Sequence, residues 1–202
     1  LTEDQIVEAA LSLAGSARLE SVSMRALAQQ LGVPVMTIYN YVPNKDALYE
    51  LVLNAVLRSV RVPSPDEGTW EERLKRLERD ARFVMGKFPG LSFDRRGTGS
   101  AEGARLAEGV MSILASAGFD DTAALLAFAA LFTFMVGQID VDIDVTEVGG
   151  PLAAAIRSVT SVTNLSRDEV FEFGFDAVIE GLKAKLASQP SRATKRRRRA
   201  TR

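Results

Sequence analysis

For chemistry the chain offers carboxylates, lysines, arginines and hydroxyls, but neither a histidine nor a cysteine. Ser-His-Asp and Cys-His nucleophiles, His- or Cys-ligated metals, disulfides and thiol redox centres are excluded, because each needs a side chain that is missing. Two patterns imitate binding loops and fail on detail. Asp140, Asp142 and Asp144 have the spacing that opens an EF-hand, yet Val145 stands where that loop needs glycine and Pro151 where it needs a bidentate glutamate. A solvated acidic loop is expected there. Gly97, Gly99 and Gly103 imitate a dinucleotide loop, but no apolar strand precedes them, so a plain connection is expected. No carboxylate pair or Ser-Lys centre has a specific spacing. The sequence reads as a non-enzyme with no cofactor and no metal.

The most specific constellation lies in residues 23–45 and belongs to recognition rather than catalysis. Ala28 is followed four residues later by Gly32, with Leu27, Leu31, Val33, Ile38 and Tyr41 around them. Two steeply crossing helices need this set: a small residue where backbones approach, a glycine for the turn, and hydrophobes to clamp the pair. The pattern is a helix-turn-helix, whose second helix enters the major groove of DNA. Val35, Met36 and Thr37 project from that second helix, and their apolar groups suit thymine methyls; Arg25 is the candidate for a bidentate contact to guanine. Tyr39, Lys45 and the Ser23 hydroxyl suit phosphates, which set register without reading sequence. Lys45 also lies near the start of the next helix, where amides attract phosphate. Asn40, on the same short helix, completes the set. Residues 1–61 hold five basic and six acidic side chains, so attraction for DNA rests on a few cations on one face and on helix N-termini.

The elements that must position these residues are helices throughout, because apolar spacings of i, i+3, i+4 and i+7 recur from end to end while strict alternation is nearly absent. The expected fold is all-α. A first helix carries Ile6, Ala9, Ala10 and Leu13 behind a Thr2/Gln5 capping box; Ser23 caps the second, Gly32 closes it, and the third runs from Pro34 to Val42. Asn44 caps a fourth that reaches about Val60. Residues 1–60 are thus expected to form a helix-turn-helix unit with a connecting helix, and 61–69 a linker rich in proline and acids. Residues 70–188 form a larger helical unit, with Leu74, Leu77, Ala81, Val84 and Phe88 on the first helix up to Pro89, then a helix bearing Leu106, Val110, Ile113 and Leu114 that Gly118 stops. Pro151–Thr163 is expected to be helical, and Ser166 with Glu169 opens the last helix, to about Ala187.

Net charge is −1, but residues 191–202 hold seven of the 25 basic residues and no acid, which leaves 18 against 26, an acidic body at −8. Residues 189–202 are expected to be a disordered basic tail. Lys195 to Arg199 either add salt-sensitive attraction for DNA or form a solvated extension. Thr122–Ile139 carries no charge and is long enough to cross a bilayer, where ~17–25 residues are needed, but Asp121 and Asp140 bracket it without basic anchors. Burial between a bundle core and a subunit interface is the expected role, with no membrane partner. The first residues lack a signal-peptide pattern, and a cytoplasmic location follows as the expectation. The larger unit also supplies Phe83, Phe88, Phe93, Met111, Phe128, Phe132, Phe134 and Met135, a subset of which could line a pocket for an apolar or aromatic ligand. Arg105, Thr133 and Gln138 are its candidate polar partners.

Met24-Arg-Ala-Leu-Ala-Gln-Gln-Leu-Gly-Val and Thr37-Ile-Tyr-Asn-Tyr-Val-Pro-Asn-Lys-Asp-Ala-Leu resemble the tetracycline-repressor (TetR) family over residues 2–56. The resemblance beyond the linker is chiefly the closing Phe171-Glu-Phe-Gly-Phe-Asp-Ala-Val-Ile-Glu-Gly-Leu. It implies a homodimeric transcription regulator that leaves its double-stranded operator when a small-molecule inducer enters the second unit, repression being the family's commoner mode. It also implies a four-helix dimer contact made by residues 122–139 and 167–187. Tetracycline-type sensors place a histidine near the metal-drug complex; this chain has none, so magnesium-tetracycline is not the expected inducer. The alternative is a helical small-molecule-binding or membrane-associated protein without DNA binding.

Overall fold

Six helices start at a Ser, Thr or Asn whose side-chain oxygen accepts a first-turn N–H, a contact worth ~1 kcal/mol each. Thr2 opens α1 (Glu3–Ala14), Ser23 opens α2 (Met24–Leu31), Asn44 opens α4 (Lys45–Leu57), Thr69 opens α5 (Trp70–Gly86), Ser100 opens α6 (Ala101–Ala117) and Ser166 opens α8 (Arg167–Ala187). Between them lie α3 (Val35–Tyr41), which starts after Pro34, and α7 (Asp121–Asp140), whose Ala123 N–H donates to Asp120. The computed structural model describes residues 1–15, 19–88, 91, 100–140, 154, 155, 158 and 166–189, and these are helical with no strand. Phe93, Gly97 and Gly99, the Asp142–Asp144 stretch, most of the expected helix at 151–163 and residues 190–202 lie outside the described residues, while Gly103, expected in a connection, falls within α6.

The turn between α2 and α3 rests on Gly32, whose φ of 65° is a left-handed conformation that costs glycine nothing; its N–H donates back into the last turn of α2. Leu27 and Ile38 are fully buried on either side of this turn, together with Ile6 and Ala10 of α1 and Val52 and Leu53 of α4. Tyr41, expected to help clamp the helix pair, instead lies 41% exposed, and its hydroxyl donates to the Leu1 carbonyl at 2.6 Å. A phenol keeps its polar end at the surface when a partner is available there.

Two helices stop short of their expected ends. α4 ends at Leu57 rather than near Val60, and Arg105 of α6 donates to the carbonyls of Leu57 and Val60, groups that face outward where the helix stops. α5 ends at Gly86, before Pro89. The intervening linker is clasped: both terminal nitrogens of Arg61 donate to Glu67 at 2.6 Å, the Ser64 N–H donates to the same carboxylate, and these bonds hold it well below the usual carboxylate range. Arg73 of α5 is buried and donates to the Pro63 carbonyl, fastening the linker to the larger unit.

α5 and α8 run antiparallel, joined by Lys75–Asp176, Arg79–Glu172 and Arg82–Asp168 pairs along their exposed edges. Exposed pairs contribute at most ~1 kcal/mol each; the larger apolar contact of α8 is the aromatic cluster it shares with α7. There Phe134 of α7 meets Phe171 and Phe175 of α8 with ring centroids 5.6 and 6.1 Å apart. Helix α7 is long and apolar enough to cross a membrane. In this fold it divides by face: Ala124, Ala127, Leu131 and Met135 are buried, while Leu125, Leu126, Ala129, Ala130 and Thr133 are exposed.

The approach of α7 to α8 depends on Gly174, where an added Cβ would lie 2.6 Å from the Phe134 ring. Gly174→Ala should therefore cost ~1–3 kcal/mol through overpacking, outweighing the up to ~1 kcal/mol that alanine gains over glycine within a helix. A urea melt measures the difference; a variant as stable as the parent would mean that the ring swings aside freely.

Candidate nucleic-acid interface and apolar cavity

The helix-turn-helix places its short second helix α3 at the surface, since Ile38 is its one fully buried anchor. Met36 on the outward side is 70% exposed. Val35 and Thr37 are half-buried beside it, while Tyr39 and Asn40 are exposed one turn on. Ser23, Arg25, Val35, Tyr39 and Lys45, five of the eight residues expected at a DNA interface, line one open groove with Met24, Pro43 and Asn44. The first turns of α2 and α4 both meet this groove, and unpaired N–H groups at helix starts favour an anion. The Ser23 oxygen accepts the Ala26 N–H at 3.0 Å, which leaves its hydroxyl proton to donate outward. Met36, Thr37 and Asn40 lie outside the groove lining.

A second concavity, about 220 Å³, opens between α5, α6 and α7. α5 contributes Leu77, Glu78 and Ala81; the first half of α6 contributes Leu106, Ala107 and Val110 beyond its cap Ser100; α7 contributes Phe128, Leu131, Phe132 and Met135. The Phe128 and Phe132 rings are stacked, 5.8 Å apart and 17° from parallel.

Of the residues expected to line a pocket, Phe128, Phe132 and Met135 do so, and the other described ones do not. Phe83 is 68% exposed on the far side of α5, with the Lys87 ammonium over its ring. Phe88 lies beyond the end of α5, and Met111 is one position off the lining face of α6; both are half-buried against the core. Thr133 is on the exposed face of α7, and Gln138 is half-buried beyond Met135, towards the end of the helix. Arg105 points away from the cavity, to the end of α4 and to Glu102 at 2.5 Å.

Two residues here carry no motif in the sequence. Glu78 sits in a run of charged side chains that looks solvated, yet it is 4% exposed and its Oε2 has no hydrogen-bond partner. Its place one residue after Leu77 and three before Ala81, on the buried stripe, was the available signal. Asn54 is the other. Its Oδ1 accepts the Ser100 hydroxyl at 2.7 Å and the Glu102 N–H at 2.9 Å, while the Ser100 oxygen accepts the Gly103 N–H at 3.0 Å. One side chain of α4 thus caps the first turn of α6, beside the cavity. Gly109 adds a close approach, since a Cβ there would lie 2.6 Å from Val62 of the linker.

Two family models match the chain: "Bacterial regulatory proteins, tetR family" over residues 6–52, and "Tetracyclin repressor-like, C-terminal domain" over residues 62–150. A relative named HTH-type transcriptional repressor DrrR1, from Streptomyces coeruleorubidus, is 37% identical over 92 residues, covering 45% of this chain and 34% of the relative. An HTH-type transcriptional regulator from Saccharopolyspora erythraea is 32% identical over 145 residues, covering 70% and 61%. The chain therefore spans about a third and about three-fifths of these two curated relatives. Among solved structures, the TetR family protein ActR of Streptomyces coelicolor in complex with actinorhodin is similar with a TM-score of 0.76 at 29% identity, covering 92% of this chain and 98% of ActR.

Glu78 makes the cavity's protonation state a stability variable. Burial pushes its carboxyl up to about 8. Below the ordinary glutamate pKa both native and unfolded chains hold this proton; between there and about 8 only the native chain does. Rising pH then removes native stability at ~1.4 kcal/mol per unit. Glu78→Gln has no proton to lose, so its Tm relative to the parent should climb between about pH 4.5 and 8 and then level off. A constant difference across that window, read by thermal melts in matched buffers, would place the carboxyl in water.

Proposed function

Given that the chain belongs to the TetR family of bacterial regulatory proteins, we propose that it is a homodimeric, ligand-responsive transcriptional repressor acting in the cytoplasm. Residues 1–60 form its reading unit, 61–69 the linker, and 70–188 the sensing and dimer unit. The observation that carries the reading is the groove where Ser23, Arg25, Tyr39 and Lys45 converge beside the exposed Met36. Ser23, Tyr39 and Lys45 hold phosphates, Arg25 donates to a guanine edge, and Val35, Met36 and Thr37 meet thymine methyls. Asn40 borders the same surface.

The ligand enters the cavity between α5, α6 and α7. ActR, a structural relative, is known with actinorhodin bound, and an aromatic or apolar occupant suits the Phe128 and Phe132 walls here. An occupant that displaces the first turn of α6 also displaces Asn54, and with it α4, which packs on α1 within the reading unit. The dimer then populates a state whose two reading helices no longer match successive major grooves, ~34 Å apart.

The dimer contact uses the open sides of α7 and α8. Leu126, Ala129, Ala130 and Thr133 form one exposed stripe, and Phe173, Ala177, Gly181 and Ala184 form another, at helical spacing. Small side chains let a second pair of helices approach closely, and Phe173, 80% exposed in the single chain, is the natural anchor. A monomer seldom leaves such a patch in water.

Selection from random duplexes followed by gel shift tests the DNA reading; no retained duplex at low salt would overturn it. Lys45→Ala should weaken all selected duplexes alike and lower the salt slope by about one, whereas Met36→Ala should change which sequences are selected and leave the slope alone. Sedimentation velocity addresses the dimer: Phe173→Asp should run as a folded monomer, and a variant that stays dimeric would exclude this face.

A further inference from the structure

Among the described residues that line the cavity between α5, α6 and α7, Glu78 is the one ionisable side chain. The polar groups around it are already committed. The Ser100 hydroxyl donates to Asn54 and its oxygen accepts from Gly103, so it has little left for a guest. Glu78 differs: it is buried and lines the cavity, and one carboxyl oxygen has no partner among the described residues. A buried oxygen left unsatisfied costs ~1–3 kcal/mol, and a guest that supplies a donor recovers it. Among the described residues no lysine or arginine belongs to the lining, which leaves a guest as the source of the donor.

We infer that the cavity selects an aromatic, largely apolar ligand bearing one protonated amine, with the Glu78 carboxylate as its anchor. The inference rests on the cavity being the ligand site of the regulator. An ammonium on a carboxylate makes a charge-assisted hydrogen bond, about twice as strong as the neutral bond a hydroxyl would offer. The stacked Phe128 and Phe132 rings, in the same wall system, add faces that attract a cation as well as flat surface for an aromatic body. A ligand carboxylate is disfavoured, because it would bring a second acid into a low-dielectric space with no cation to offset it.

Proton balance gives a separate signature. Glu78 is protonated at neutral pH in the empty cavity, burial having pushed its carboxyl up to about 8. When a cationic amine binds, the amine keeps its proton and the Glu78 proton passes to solvent. One proton is released per amine bound; a neutral alcohol releases none.

The test uses the full chain and three matched probes: 1-naphthylmethylamine, 1-naphthylmethanol and 1-naphthoate. Calorimetry at pH 7 in two buffers of different ionisation enthalpy reads affinity and proton release together. The expected result is an amine that binds about tenfold or more tightly than the alcohol, releases close to one proton, and loses both features in Glu78→Gln, while alcohol binding is unchanged. The inference is overturned if the alcohol or the acid binds as tightly as the amine, if the amine preference survives in Glu78→Gln, or if the amine shows no binding up to ~1 mM. Thermal melts check that Glu78→Gln is folded. Gel shifts on ligand-free samples of the same preparations keep the two readings apart: retained DNA with an indifferent amine response sinks only the amine anchor. Amine selectivity without DNA retention sinks only the regulator.

Discussion

The amide oxygen of Asn54 receives two donors at once, the Ser100 hydroxyl and the Glu102 N–H, and both belong to the first turn of α6. These are groups that a helix start cannot satisfy for itself, so the beginning of α6 is completed by a different helix. Any displacement of α6 against α4 must break both bonds together or carry α4 along. Arg105 reinforces the join from the other direction, since the α6 guanidinium bonds the last carbonyl of α4, that of Leu57, and the Val60 carbonyl just beyond it. Each helix finishes the other's end. The cavity wall and the groove-forming helices are therefore parts of one mechanical train, although the two concavities share no residue.

Helix α5 holds two buried charged side chains with opposite treatment. Arg73 has its guanidinium spent on the Pro63 carbonyl and, at 3.4 Å, on the Ser116 hydroxyl, so its burial fastens the linker. Glu78, on the same buried side, has no cation beside it among the described residues and one idle oxygen. A carboxyl in that position is more economical as a neutral acid than as an anion, since desolvating a lone charge costs far more than shifting its pKa. Replacing it by leucine would remove the penalty. Its presence in an otherwise greasy recess is thus an expense that packing alone does not explain.

Most helix starts were legible because they are local. Thr2 with Gln5, Ser23, Asn44, and Ser166 with Glu169 are read from three or four neighbouring residues, and the corresponding bonds are all present. Gly32 was legible for the same reason: one turn, one left-handed residue. What escaped depends on partners distant in the chain. Nothing local marks Asn54, whose partners lie 46 and 48 positions later in the chain. Glu78 was hidden among Arg76, Arg79 and Asp80, which are exposed. Aromatic residues were assigned to the cavity by type, and type does not say which side of a helix faces inward. Phe83 lies six positions after Leu77 and comes out on the far side of α5, whereas Phe128, Phe132 and Met135 recur at the helical period and reach the lining together.

The separation between the cavity walls and the Asn54 join has a bearing on how such a sensor changes over generations. Phe128, Leu131, Phe132 and Met135 shape the recess from α7, and none of them takes part in the bonds between α4 and α6. Exchanges among side chains of similar volume at those positions alter the contour offered to a guest at modest cost in stability, while the apparatus that relays occupancy stays intact. Chemical preference can drift in small, survivable steps without the signal being rebuilt each time.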